Sequence, residues 1–129
     1  MPFTVINSPN ARPVADYAMA VRVESGRLIH TGTVGPFLED GRVACPGDLA
    51  GQARRIFVNL ADRLRSDGTD LTNIVRMRTY LVRMVDLPEF ARVRSEFIQG
   101  TLPPATLIGV PRFSNPEILA QIEVIAVTD

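Results

Sequence analysis

The sequence predicts an α+β fold in which two helices pack on one face of a mainly antiparallel or mixed sheet. Short β-rich runs alternate apolar and polar residues, two longer segments carry apolar residues at helical spacing, and the order of these elements is ββ(β)αβαββ. With 46% hydrophobic and 22% charged residues, the 129-residue chain can bury one core and is not expected to be disordered. We therefore expect residues 1–129 to form a single domain.

The first strands come from β-rich runs near the N-terminus. Residues 3–6 are β-branched or aromatic, and turn residues with two prolines follow them. Alternation resumes at residues 19–23, the tripeptide Glu24-Ser25-Gly26 supplies a turn, and residues 28–34 form a second apolar run. This pattern predicts that the runs on either side of the turn pair as a hairpin.

A segment rich in glycine and proline, residues 35–48, predicts a loop that separates these strands from the first helix. Asp48 can cap that helix, and Asp67-Gly68 can end it. The apolar residues between them recur at helical spacing: Ala50, Ala53, Ile56, Phe57, Leu60, Ala61 and Leu64. The pattern is typical of an amphipathic helix.

Residues 74–84 alternate again and predict a long strand with an arginine-rich face that includes Arg76 and Arg78. We expect those arginines and Arg83 to form salt bridges or contacts between subunits. Asp86 then offers an N-cap, and Pro88 lies in the first turn of a second, shorter helix that ends near residue 100.

Two final β-rich runs, residues 105–110 and 118–127, complete the sheet. If both helices cover one sheet face, the other face is left uncovered. Proteins usually hide such a face in an oligomer.

Composition excludes several classes of chemistry. All fourteen basic residues are arginine, so a Schiff-base lysine is impossible. Fourteen acidic residues balance them, so no positive surplus favours nucleic acid as a partner. Cys45 and His30 are the only residues of their types and are too few for a usual zinc site. No signal peptide or membrane span is evident, so we expect no metal, no membrane partner and a cytoplasmic location.

Several phrases together resemble the Rid family of reactive-intermediate deaminases, also called YjgF-like or L-PSP-like proteins. The resemblance covers nearly the whole chain. Its carriers are Tyr17 in DYAMAV, then HTGTVG, QARRIFVNL, IVRMRTYLV, PPATLIGV and the ending QIEVIAV.

This resemblance implies a chorismate-mutase-like protomer in a homotrimer, with a central barrel of sheets and three sites in the clefts between subunits. It also implies hydrolysis of a small imine or enamine to a keto product and ammonia, without a cofactor. An imine carbon is already electrophilic, so the chemistry needs only positioning, recognition of the substrate and a path for protons.

Two positions depart from the family pattern. Thr106 stands where the family has an arginine that binds the substrate carboxylate, and Gln121 stands where it has a carboxylate thought to hold the attacking water. Losing a charged partner costs about 1.5–3 kcal/mol, so we expect a carboxylate-bearing imine to bind poorly. Glu123 lies two residues beyond Gln121 on the same strand face and can replace the missing carboxylate.

The expected catalytic residues are therefore Tyr17, Gln121 and Glu123. The expected substrate-binding residues are Thr31, Gly32, Thr106 and Arg112. Strand alternation points His30 away from Thr31, so we expect the two not to share a pocket. Two alternatives stay open: a Rid-fold protein that binds a small metabolite without turnover, and a dedicated pathway deaminase with an aminomuconate-like substrate.

Overall fold

The computed structural model describes residues 2–10 and 17–129. Its helices and strands follow the predicted order. They are β1 (Phe3–Ile6), β2 (Ala20–Val23), β3 (Arg27–His30), α1 (Leu49–Arg65), β4 (Ile74–Leu81), α2 (Leu87–Phe97), β5 (Ala105–Gly109) and β6 (Ala120–Thr128). In the described part of the chain, no helix is long and apolar enough to cross a membrane.

The strands form two sheets. β1 and β2 pair in a two-stranded antiparallel sheet, and the other four lie in the order β3-β6-β4-β5. In the larger sheet β4 and β5 are parallel, while the other neighbours are antiparallel. The expectation of a mixed sheet is confirmed.

The predicted hairpin is wrong. β2 pairs with β1, and β3 pairs with β6, so the runs on either side of the Glu24-Ser25-Gly26 turn belong to different sheets. β6 is nine residues long and pairs with all four residues of β3. Val34 forms a separate β-bridge to Ile122 of the same strand. Alternation fixes which side chains share a face, but it does not identify the strand that completes the backbone hydrogen bonds.

The first helix was predicted correctly. The Asp48 side chain accepts a hydrogen bond from the backbone N–H of Gly51 at 3.1 Å, and the predicted apolar residues of α1 are buried except for the half-buried Ala50. The helix ends at Arg65, just before Asp67-Gly68.

The second helix begins after Asp86 with Pro88 in its first turn, as predicted, whereas β4 and the helix itself both end earlier than predicted. β4 stops at Leu81 because residues Met84–Asp86 form a 3-10 turn. Asp86 occupies the N-cap position but makes no side-chain cap bond; its carboxylate accepts from Arg83 Nη2 at 2.9 Å instead. α2 ends at Phe97, three residues before the predicted end.

The core lies between the two helices and one face of the larger sheet. Phe57 and Phe90 from the helices are fully buried together with Met77 and Ile122 from the strands. The sheet face that points away from the helices is polar and half-buried to exposed. We call it the open face, and it comprises His30, Arg76, Arg78, Tyr80, Thr106, Ile108, Gln121, Glu123 and Ile125.

Candidate functional site

Strand register gathers the polar side chains of the open face in one row. Arg78 of β4 is paired with Thr106 of β5 on one side and with Glu123 of β6 on the other. Because directly paired residues project from the same sheet face, the three side chains are neighbours.

Glu123 is held by two donors on one of its oxygens. The Tyr80 hydroxyl donates to Oε1 at 2.5 Å, and Arg78 Nη1 donates to the same oxygen at 3.4 Å. The Tyr80 hydrogen bond and then Arg78 hold the pKa of Glu123 below its usual value, so this carboxyl is ionised at neutral pH. Oε2 accepts no hydrogen bond from the described residues.

Tyr80 is affected in the opposite sense. Its hydrogen bond to Glu123 raises the pKa of the phenol above the ordinary value, and burial and the nearby negative charge act in the same direction. The hydroxyl therefore stays protonated and remains a donor to Glu123 across the physiological range.

Arg76 directs its guanidinium to β5. Its Nη2 donates to the Thr106 hydroxyl. Unlike Arg78, Arg76 forms no ion pair with any carboxylate in residues 2–10 and 17–129.

Arg76 and Glu123 lie in a cleft of about 90 Å³, which we call the Glu123 cleft. Its lining residues are His30, Thr31, Arg76, Arg78, Glu123, Val124 and Ile125.

Thr31 lies in this cleft, but its hydroxyl bonds to the backbone of β6. The Thr31 Oγ1 accepts from the N–H of Val124 at 3.0 Å and donates to its carbonyl at 3.4 Å. His30 lines the same cleft, so the expectation that the two would not share a pocket is wrong. β3 ends at His30, and alternation does not extend past a strand end. A Cβ added to Gly32 would meet no atom within 4 Å, so the space beside this residue is open in the described part of the chain.

Tyr17 and Thr106 line a second cleft of about 270 Å³, which we call the Tyr17 cleft. Tyr17 is anchored by a backbone bridge to Leu102. Arg94 of α2 also lines this cleft, although no motif in the sequence pointed to it. Arg94 lies one helical turn after Phe90, so the spacing of α2 could have indicated that the two side chains lie on the same side of the helix.

The remaining two predicted residues are less central. Gln121 lies opposite Tyr80 on the open face. Its side-chain nitrogen lies beside Gly35, 3.5 Å from the position that a Cβ added to this glycine would occupy. Arg112 is exposed in the loop after β5, where its Nε donates to the carbonyl of Phe113 at 3.2 Å. The structure brings Thr31 to Glu123 and Tyr17 to Thr106, but it places Arg112 in neither cleft.

The chain thus combines an α+β fold with a polar open face and two clefts, the Glu123 cleft and the Tyr17 cleft. Comparison with known proteins identifies the family. Residues 7–128 match the family described as endoribonuclease L-PSP. The chain belongs to this family, which confirms the Rid resemblance drawn from its motifs.

Individual relatives agree with this assignment. The chain is 30% identical over 110 residues to the 2-iminobutanoate/2-iminopropanoate deaminase of Mus musculus, covering 83% of this chain and 80% of the mouse protein. The crystal structure of YyfB from Yersinia pestis, a Rid family protein of unknown function, is similar at a TM-score of 0.89 and 28% identity, covering 99% of this chain and all of that one. Yeast Mmf1 has the same fold, with a TM-score of 0.75 at 23% identity over 98% of this chain and 99% of Mmf1.

Proposed function

We propose that this protein hydrolyses a small imine or enamine to a keto product and ammonia, with Glu123 as the group that orients the attacking water. Family membership and the name of the mouse relative support the reaction class. The observation that carries the proposal is the ionised Glu123 carboxylate, with one oxygen fixed by Tyr80 and the other facing no donor among the described residues.

The reaction fits these groups. Water held by Glu123 Oε2 attacks the electrophilic imine carbon, and the carboxylate accepts a proton as the carbon–oxygen bond forms. The proton then passes to the amine nitrogen, and Glu123 accepts the remaining hydroxyl proton as the tetrahedral intermediate collapses, which breaks the carbon–nitrogen bond and releases ammonia. Tyr80 keeps the carboxylate in position. The Gln121 amide cannot act as a base at this pH, so its role is to hydrogen bond to water or substrate.

We also propose that the site is completed in a homotrimer. Within one chain, Thr31 and Glu123 line the Glu123 cleft, whereas Tyr17 and Thr106 line the separate Tyr17 cleft. The Tyr17 cleft borders β5, the last strand in the sheet order, and the open face is polar and incompletely buried. A neighbouring copy packed against this edge would bring residues of its own clefts next to the Tyr17 cleft of the first copy. Light scattering on the purified protein tests this directly, because a monomer would contradict it.

The activity test compares Glu123→Gln with a matched control, Glu39→Gln. Both variants replace a carboxylate by an amide, but Glu39 is exposed in the loop before α1. The imine is generated in place by an amino-acid oxidase, and release of ammonia and the keto product is followed. We expect Glu123→Gln to lower kcat about 10²- to 10⁴-fold, the range for a positioned general base, and Glu39→Gln to have wild-type kinetics. Normal kinetics for Glu123→Gln would overturn the assignment.

One further function is favoured by a specific observation. Two departures from the family pattern, Thr106 and Gln121, replace charged groups by neutral ones and favour a protein that binds a metabolite without turnover. Binding of a keto acid without any acceleration of imine hydrolysis would support this alternative over catalysis.

A further inference from the structure

We infer that Asn59 of α1 is a positioning residue for the candidate site, which acts by holding residues 33–37 against Gln121. Asn59 lines neither the Glu123 cleft nor the Tyr17 cleft. The inference rests on the proposed function, in which Gln121 hydrogen bonds to water or substrate. It adds a side chain from the helix that covers the opposite face of the sheet.

The first argument is a row of donors on α1. Three side chains spaced four residues apart donate to backbone carbonyls spaced two residues apart in residues 33–37. The bonds run from Arg55 Nε to Phe37 at 3.0 Å, from Asn59 Nδ2 to Phe37 at 2.9 Å and to Gly35 at 3.0 Å, and from Arg63 Nη1 to Thr33 at 3.5 Å. Four helical residues advance about 6 Å and two extended residues advance about 6.6 Å, so the two spacings match. Asn59 is the central donor and makes two of the four bonds.

The second argument is the attachment of the same segment to β6. The backbone N–H of Val34 donates to the carbonyl of Ile122 at 2.7 Å, and the N–H of Ile122 donates to the carbonyl of Val34 at 3.1 Å. Ile122 lies between Gln121 and Glu123 in the chain, so these two open-face residues flank the bridge. The segment therefore joins α1 to the part of β6 that carries both candidate residues.

The third argument is the close approach of Gly35 to Gln121. Asn59 holds the carbonyl of Gly35, and a Cβ added to Gly35 would lie 3.5 Å from the side-chain nitrogen of Gln121. The same Cβ would lie 2.6 Å from the Phe37 ring, so only glycine fits at this position. A shift of this backbone would change the space in which the Gln121 amide lies. Asn59 therefore acts on Gln121 through one intervening residue.

Hydrogen exchange of the full-length protein tests the connection without turnover. Asn59→Leu keeps a branched side chain but removes the amide donors. We expect the backbone amides of Val34 and Ile122 to exchange about 10-fold faster in this variant, because the segment opens more often. The matched control Asn73→Leu removes a different amide, which donates to Thr69 Oγ1 at 3.1 Å, and it should leave both exchange rates unchanged.

The kinetics of imine hydrolysis give the second readout. We expect Asn59→Leu to lower kcat about 10- to 100-fold, because a misplacement of about 1 Å can cost 10²-fold in rate. KM should stay within about twofold of the wild-type value, which is the pattern for a loss confined to the transition state. Arg55→Met removes one of the two donors to the Phe37 carbonyl and should change kcat in the same direction by a smaller factor. Circular dichroism and urea midpoints give the folded fraction, and kcat is compared per folded molecule.

Three outcomes would overturn the inference. The first is unchanged exchange at Val34 and Ile122 in Asn59→Leu, and the second is equally fast exchange in Asn73→Leu. The third is faster exchange with wild-type kcat, which would mean that α1 stabilises the segment without positioning the site.

Two further measurements keep the inference separate from the proposed function and from folding. If the wild type does not hydrolyse imines, the proposed function fails, and the side-chain amide signals of Gln121 in NMR spectra decide the inference. A shift of these signals in Asn59→Leu but not in Asn73→Leu would support the positioning role, and unshifted signals would refute it. If Asn59→Leu does not fold, exchange in Arg55→Met decides in the same way.

Discussion

Replacing Tyr80 by phenylalanine tests the pair at the centre of the candidate site. The substitution removes one hydroxyl, which donates to Glu123 Oε1 at 2.5 Å, and keeps the ring. Glu123 then retains only Arg78, whose donor lies farther away at 3.4 Å. The pKa of Glu123 should rise toward its ordinary value, because the Tyr80 hydrogen bond is the largest cause of its depression.

A hydrogen bond to a charged acceptor contributes about 1.5–3 kcal/mol when both groups are shielded from water. The Glu123 side chain is 27% exposed, so water replaces part of the lost bond. We expect Tyr80→Phe to lower the free energy of unfolding by about 1 kcal/mol at pH 7.

The pH dependence follows from the two shifts. Because the folded pKa of Glu123 is lowered, its stabilisation is present at neutral pH and is lost as pH falls through the folded value. Because the folded pKa of Tyr80 is raised, its stabilisation is present below the ordinary tyrosine value and is lost as pH rises through the folded value. The difference between wild type and Tyr80→Phe should be largest near neutrality and should shrink in acid.

Urea unfolding at pH 7 and at acidic pH, with protein concentration held fixed, measures this difference. A double-mutant cycle with Glu123→Gln isolates the pair. The reasoning would be refuted by an equal loss at both pH values, or by additive effects of the two substitutions.

Two further predictions concern the scaffold, and urea midpoints check both. Gly26→Ala should destabilise the fold by about 2 kcal/mol or more. Gly26 has φ +90°, and an added Cβ would lie 2.4 Å from the carbonyl oxygen of Thr128. A urea midpoint equal to that of the wild type would show that the turn can rearrange. Gln52→Leu should cost about 2–4 kcal/mol, because the buried amide donates to the carbonyl of Glu117 at 2.8 Å and accepts from the N–H of Leu119 at 2.9 Å. A loss below about 0.5 kcal/mol would mean that other groups satisfy this backbone.

The helices and the faces of β4 could be predicted because their signals are local. The cap at Asp48 and the apolar stripe of α1 are sequence patterns that act within a few turns. Alternation in β4 likewise placed Arg76 and Arg78 on one face, and the structure shows them opposite the buried Met77. Both features depend on residues that are close together in the chain.

Strand partners and site contacts could not be predicted in the same way. β3 pairs with β6, almost a hundred residues later, and the intervening turn sequence gave no sign of it. The bond from Arg76 to Thr106 depends on the parallel register of β4 and β5, which α2 connects. The resemblance to the family placed Thr106 at a functional position. Only the structure showed that the side chain in contact with the Thr106 hydroxyl is Arg76.

The rate of hydrolysis of an imine generated in place tests the central claim most directly. A carboxylate-bearing imine and a neutral imine, each with wild type and Glu123→Gln, should be measured against spontaneous decay. We predict that the wild type accelerates loss of at least one of the two imines and that Glu123→Gln removes most of this acceleration. Decay at the spontaneous rate with the wild type, for both imines, would contradict the account and leave metabolite binding without turnover as the alternative to test.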